Sequence, residues 1–135
     1  MKPALALAMG VGCDRGTPAG TIAQAIAEAL AAAGATPADV RAVASIDLKA
    51  DEAGLAAAAA QYGWRLRYFS AAALAAVDVP NPSETVRKHT GTPSVSAAAA
   101  LLAAAADQTC LIIEKHKLRG PDGRNATVSI ARMPP

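Results

Sequence analysis

The sequence predicts a three-layer α/β/α domain with a mixed, mostly parallel sheet and an antiparallel C-terminal hairpin. Two observations carry this. Short apolar runs alternate with alanine-rich stretches of helical period, the pattern of parallel strands joined by crossover helices. The last two apolar runs, 109–113 and 125–132, have no helical stretch between them, so they pair as neighbours in opposite directions. The 135 residues form one domain, 1–135.

Each element has its own signal. Ala4 to Val11 is a continuous small-apolar run ending among Gly10, Gly12 and Gly16, which reads as a strand buried on both faces and then a glycine-rich turn. Thr17-Pro18 supplies a capping hydroxyl and a proline for a helix start. Ile22, Ala25, Ile26, Ala29, Leu30 and Ala33 mark one face of that helix, and Gly34 ends it. Thr36 to Asp39 is a single capped turn, and Val40 to Ile46 a second strand. Asp51 to Tyr62 is a helix with Leu55, Ala58, Ala59 and Tyr62 on one face. Trp64 to Tyr68 alternates with Arg65 and Arg67, as an edge strand does. Ser70 caps a short helix to about Ala76. Residues 81–93 form a long polar connection, and Thr92-Pro93 opens a helix to about Ala106 with Val95, Ala98, Ala99 and Leu102 inward. Thr109 to Ile113 is a strand, Glu114 to Arg124 a turn-rich loop, and Asn125 to Arg132 an alternating final strand.

Composition narrows the function. Only 3% of residues are aromatic, so the core is built from Val, Ile, Leu and Ala. A net charge of +2 with no dense basic run argues against a nucleic-acid partner. Positive charge does gather at Arg87-Lys88 and at Lys115, Lys117 and Arg119; this is either a solvated face or an attraction for a small polyanion. Two cysteines, Cys13 and Cys110, make no disulfide framework, and no Cys-His pair sits at ligand spacing, so no metal or other cofactor is expected. Cys110 lies in an apolar run and reads as a small buried hydrophobe. Lys2 to Val11 is too short and too weakly basic for a signal peptide, and charges interrupt every alanine tract. A cytoplasmic protein with no membrane partner is expected.

Three polar islands stand out from the alanine. In the first, Gly12, Cys13, Arg15, Gly16 and Thr17 form an anion-friendly turn before a helix N-terminus. The dinucleotide fingerprint and the Walker lysine are both missing. Cys13, beside Arg15 and a helix start, has the setting of a thiol of lowered pKa; the plainer reading is a small side chain chosen for a tight turn, and no histidine is near in sequence to act as base. In the second, Asp47, Lys49, Asp51 and Glu52 lie just past a strand end, and Ser45, Asp47 and Lys49 are expected to face the same crevice. Asp51 and Glu52 are explained by capping and a salt bridge, whereas Lys49 is not, because a cation is unfavourable at a helix N-terminus. In the third, Asn81, Ser83, Lys88, His89, Gly91, Thr92 and Ser94 lie on a connection longer than compact domains ordinarily leave without a task. His89 is either a surface residue or a general acid–base.

These residues carry a family resemblance. Gly12-Cys13-Asp14-Arg15-Gly16-Thr17, the run Ser45 to Leu55, and Pro80-Asn81-Pro82-Ser83 through Gly91-Thr92-Pro93-Ser94-Val95 resemble the family of CobE and the C-terminal domain of CbiG. A lysine-bearing stretch near Lys115 and a last strand ending Ala131-Arg132 complete the match, which spans nearly the whole chain. The chain lacks the N-terminal half of CbiG and so resembles the free-standing form of the oxygen-dependent branch of cobalamin (vitamin B12) biosynthesis. The resemblance implies an α/β/α fold and a ligand class, the precorrins, which are modified tetrapyrroles rich in acetate and propionate carboxylates. Arg15, Lys49, Arg87, Lys88 and Lys115, with helix N-termini after Gly16 and Pro93, are suitable carboxylate donors.

Two main function classes follow. One is a carrier or accessory protein that holds an unstable precorrin and passes it to other pathway enzymes. The other is a hydrolase acting on a ring lactone or related group, with Asp47 or His89 activating a water and a helix N-terminus stabilising the oxyanion. A regulatory or scaffolding subunit without a ligand is a third.

Overall fold

The computed structural model describes residues 5–80 and 95–134. The chain runs β1 (Leu7–Cys13), α1 (Ala19–Ala32), β2 (Val40–Ile46), α2 (Ala53–Gln61), β3 (Leu66–Phe69), α3 (Ala71–Ala75), α4 (Val95–Ala104), β4 (Leu111–Arg119) and β5 (Asn125–Arg132). The sheet order is β3-β2-β1-β5-β4. β1 pairs parallel with β2, and β2 with β3, while β5 lies antiparallel to both β1 and β4. β4 therefore points the same way as β1, and β5 alone runs against the others. The expected mixed, mostly parallel sheet with a closing hairpin is what forms.

β1 explains the layers. Its side chains alternate between faces, and the two faces differ in size. Leu7, Met9 and Val11 meet Ile22, Ile26 and Leu30 of α1, Leu55 of α2, and Val128 and Ile130 of β5. On the other face Ala8 joins the core formed by α3 and α4, and Gly10 and Gly12 follow it at that register. A Cβ on Gly10 would overlap the carbonyl oxygen of Ser96 and stand 2.6 Å from the amide nitrogen of Ala100. The backbone of α4 thus rests directly on the strand.

This close approach dictates the composition of α4. Ala97, Ala98, Ala99, Ala100, Leu101, Ala103 and Ala104 are all buried, so the helix is enclosed nearly all round instead of along one stripe. The inward set read from spacing is correct for Ala98 and Ala99, but Val95 and Leu102 are only half-buried. Among the alanines two hydroxyls are buried, and both are satisfied. Ser96 Oγ and Ser129 Oγ lie 2.8 Å apart, and Ser129 Oγ donates to the carbonyl of Glu114 at 2.7 Å. A hydroxyl has one proton and a carbonyl can only accept, so Ser96 supplies the proton of the shared contact.

Several local predictions hold. Gly34 ends α1 with Ala35 N–H donating to Leu30 O at 2.9 Å. Thr36 and Asp39 form a capping box, and Ser70 Oγ accepts from Ala73 N–H at 3.1 Å to start α3. β3 is an edge strand, as expected. Three differ. Thr17 does not cap α1: its side chain is buried, and Pro18 takes the cap position with no side-chain hydrogen bond. β4 continues to Arg119 where a loop from Glu114 was expected. It is the outer strand, so Lys115, Lys117 and Arg119 are exposed while His116 and Leu118 are half-buried; charged residues of this kind are how edge strands avoid pairing with other chains. Cys110 is half-buried in a 3-10 turn, not enclosed in the core.

Gly10→Ala should destabilise the fold by about 3 kcal/mol or more, because both clashing atoms belong to backbone. Gly20→Ala, in α1 with open space at its Cβ, should stabilise by about 0.5–1 kcal/mol. Urea unfolding midpoints of the two variants check both signs.

Candidate functional site

The C-terminal ends of β1, β2 and β3 face one side of the sheet. After β3 the chain changes faces, from the α1–α2 layer to the α3–α4 layer. Open α/β sheets bind ligands at such a switch of connection. Here the first two islands meet.

Most of the first island is committed to internal partners. Asp14 Oδ2 accepts from Asn125 N–H at 2.7 Å and from Asn125 Nδ2 at 2.9 Å, which ties the end of β1 to the start of β5. Thr17 Oγ1 lies 2.7 Å from Asp14 O and 3.3 Å from Asn125 O, both acceptors. Gly16 N–H donates to Glu52 Oε2 at 3.0 Å. Arg15 pairs with Asp51 at 3.4 Å and with Glu52 Oε1 at 3.0 Å, and its Nη2 donates to Leu48 O at 3.3 Å. The Glu52 contact is an ion pair without the alignment of a hydrogen bond, so Oε1 is a buried oxygen lacking a hydrogen-bond donor. Arg124 Nε closes the outer side of the turn on Arg15 O at 3.1 Å.

The anion-binding turn read from the sequence is real in form, but its anion is the chain's own Glu52. That side chain is 4% exposed, whereas Asp51 is 75% exposed. Glu52 holds the N-cap position of α2 and makes no capping hydrogen bond there; it reaches across to the β1–α1 turn instead. Capping was the wrong explanation for it and the salt bridge the right one. Gly54 allows the approach, since a Cβ there would overlap Thr17 O.

Ser45 is also committed. It is fully buried and its Oγ donates to Val11 O at 2.6 Å, just past the last paired residues of β1 and β2, Gly10 and Ala44. It ties two separating strands together and does not face the crevice. Lys115 stands on β4, with β5 between it and β1, so it does not join the other candidates. What stays open is Gly12 and Cys13, both half-buried, with exposed Asp47 and half-buried Lys49. Lys49 lies close enough to Cys13 to act on its ionisation. Val95, at the start of α4, would be 3.8 Å from a Cβ on Gly12. Asn81, Ser83, Arg87, Lys88, His89, Gly91, Thr92 and Ser94 lie outside the described residues.

This arrangement can be compared with known proteins. The family described as "Cobalamin synthesis G C-terminus" matches residues 7–131. The chain belongs to this cobalamin-biosynthesis family. It is 39% identical over 128 residues to the cobalt-precorrin-5A hydrolase of Priestia megaterium, an alignment covering 95% of this chain and 32% of that protein. The chain thus spans about a third of that relative's length. It is also 39% identical over 116 residues to Protein CobE of a Sinorhizobium species, covering 84% of this chain and 75% of that one. The crystal structure of CobE, a protein from the cobalamin (vitamin B12) biosynthetic pathway, superposes with a TM-score of 0.80 at 27% identity, covering 98% of this chain and 96% of that one.

Within this CbiG C-terminal domain Cys13 is not an activated thiol. Burial pushes its pKa up to about 11, and the attraction of nearby Lys49 only partly opposes this. This favours the small-side-chain reading over the reactive thiol. Among the described residues no helix is long and apolar enough to cross a membrane, and no group of three His, Cys, Asp or Glu side chains is placed to hold a metal ion.

Sequence reasoning missed Asn125, Arg124 and the second reach of Glu52, because their partners are 36 to 111 residues away. It also missed His116, whose Nε2 lies 2.8 Å from Glu28 Oε1 and so joins β4 to α1. Hydrogen bonds from His116 and then Gln24 hold the Glu28 carboxyl below its usual range.

Two outcomes follow. Glu52→Ala should cost about 1–3 kcal/mol, by unpairing Gly16 N–H and Arg15, whereas Asp51→Ala, an exposed partner, should cost under about 0.5 kcal/mol; thermal or urea unfolding separates them. In a Cys110→Ser background, iodoacetamide should modify Cys13 slowly at pH 8, where a thiol titrating near 11 is about one-thousandth ionised. The rate should rise about tenfold per pH unit up to about pH 10. The same shift makes its contribution to stability full below the ordinary value of 9.0 and progressively lost as the pH rises toward 11. Fast modification at pH 8 would show an activated thiol.

Proposed function

We propose that this domain binds a precorrin-type tetrapyrrole at the crevice formed by Gly12, Cys13, Asp47 and Lys49, as a carrier or accessory factor of cobalamin biosynthesis. The observation that carries this reading is the contrast between two cations. Arg15 is tied to Asp51, Glu52 and Leu48 O. The Lys49 side chain, half-buried beside Cys13 and at the strand ends, makes no hydrogen bond or ion pair among the described residues; only its backbone carbonyl is engaged, by Glu52 N–H at 3.0 Å. A ligand bearing carboxylates meets a point charge there whose ammonium can adapt to the position of the arm. Asn81, Ser83, Lys88, Gly91, Thr92 and Ser94, which lie outside the described residues, belong to this reading as proposed further polar contacts. A carrier would also touch other enzymes of the pathway as it hands its ligand on.

A second reading has its own support. The Priestia megaterium relative is named a hydrolase of cobalt-precorrin-5A, and its alignment covers 95% of this chain. In that case exposed Asp47, beside Lys49, is the group able to take a proton from water, with His89 as the alternative.

The test is an absorbance titration of the purified protein with a panel of precorrins and a stable corrinoid polyacid, hydrogenobyrinic acid. Selective binding without spectral conversion is expected. Lys49→Gln should weaken it about five- to tenfold at low ionic strength, with the difference shrinking as salt is added. A converted spectrum with a released small product, abolished in Asp47→Asn or His89→Gln, would establish the hydrolase instead. No affinity for any member of the panel would defeat both.

A further inference from the structure

We propose that Leu48 supplies an apolar contact for the ring of the bound tetrapyrrole and that Arg15 is the positioning residue that presents it; this rests on the reading that the crevice binds such a ligand. A macrocycle brings an apolar face as well as carboxylates, and a site usually meets such a face with aromatic side chains. This chain has four aromatic residues in all: one Trp, two Tyr and one Phe. None stands on the β1–α1 or β2–α2 turn. Tyr62 and Trp64 stack on each other with ring centroids 4.5 Å apart. Arg67 lies 5.1 Å above the Phe69 ring. Tyr68 stands on the edge strand β3, opposite Ser45 in the register. Tyr68 is 36% exposed there, but an apolar contact supplied by the two turns themselves must be aliphatic.

A single exposed leucine carries no meaning by itself. Leu48 differs by its setting. It is 51% exposed, the most exposed of the large hydrophobic residues described, and it stands between Asp47 and Lys49. Its backbone is held in place: residues 47–49 form a 3-10 turn, and Arg15 Nη2 donates to Leu48 O from 33 residues away. Arg15 is in turn anchored on buried Glu52. The β1–α1 turn thus fixes an apolar residue in solvent, next to the one cation of the crevice left without a partner among the described residues. Leu5, exposed to 36% two residues before β1, is at the opposite end of the sheet and serves as the control.

The experiment measures the affinity of hydrogenobyrinic acid for wild type, Leu48→Asn, Leu5→Asn, Arg15→Gln and the Leu48→Asn/Arg15→Gln pair, with melting temperatures recorded alongside. Leu48→Asn should bind about five- to tenfold more weakly at an unchanged melting temperature, and Leu5→Asn should bind as wild type. The double variant should bind no more weakly than the weaker single variant, because Arg15 acts through Leu48. Equal affinity in wild type and Leu48→Asn overturns the proposal. Additive losses overturn the positioning role, since they place Arg15 on the ligand itself. A wild-type protein that fails to bind the corrinoid overturns the functional reading on which the proposal rests, a result distinct from the other two.

Discussion

The contact on which this structure depends is backbone on backbone: α4 against β1 at Gly10. Where a strand presents Ala8, Gly10 and Gly12 to a helix, no side chain keeps the two apart, and the helix settles until its own main chain is the surface. Where such a helix meets the strand, small residues such as Ser96 and Ala100 are required, and with its alanines and Leu101 covered α4 is buried almost all round. The opposite layer follows the usual rule, with Leu, Ile, Met and Val from β1, α1, α2 and β5 interlocking. The domain is therefore asymmetric in thickness. Its shortage of aromatics is compensated by proximity, because dispersion falls steeply with separation and close contacts of small atoms recover it. The same contact sets the start of α4 beside Gly12, at the C-terminal end of β1.

A second constraint acts at the same end of the sheet. The β1–α1 and β2–α2 turns are joined by one buried carboxylate, Glu52, which serves Gly16 N–H with one oxygen and Arg15 with the other. Burying a carboxylate is costly unless donors and a countercharge meet it, and here both come from a single turn. The arrangement resembles a ligand site whose ligand is covalently part of the chain. It lends rigidity to residues 47–49, and it removes Arg15 from the list of free cations. The positive charge that a ligand would meet is correspondingly reduced to Lys49 among the described crevice residues.

What was legible in the sequence, and what was not, divides along the distance between partners. β2 and β5 were read with their observed bounds, 40–46 and 125–132, because their alternation or apolar continuity is a local property. The capping box at Thr36–Asp39 and the Ser70 cap act over three residues and were equally plain. Thr17 has the same local signature as a cap, yet its hydroxyl goes to Asp14 O and to Asn125 O, the latter 108 residues away. The extension of β4 was hidden because Glu114 to Lys117 look like a loop when read alone; a partner strand, β5, makes the charged alternation an edge. For Cys13 the local cues, Arg15 and a helix start, allowed an acidified thiol beside the plainer small-side-chain reading. Burial, which no local cue encodes, outweighed them and raised the pKa.

The division of labour between Arg15 and Lys49 follows from their chemistry. A guanidinium offers five donors in a rigid plane and can bridge two carboxylates and a carbonyl at once, as Arg15 does between Asp51, Glu52 and Leu48 O. An ammonium is a compact point charge on a flexible stem and could not hold three partners at such angles. A rigid clasp therefore calls for arginine, and the proposed contact with the carboxylate arms of a large ring is better served by lysine. Exchanging the two would leave both tasks poorly done: the clasp would lose its bridging geometry, and the contact would gain a plane that fits only one orientation of the incoming carboxylate.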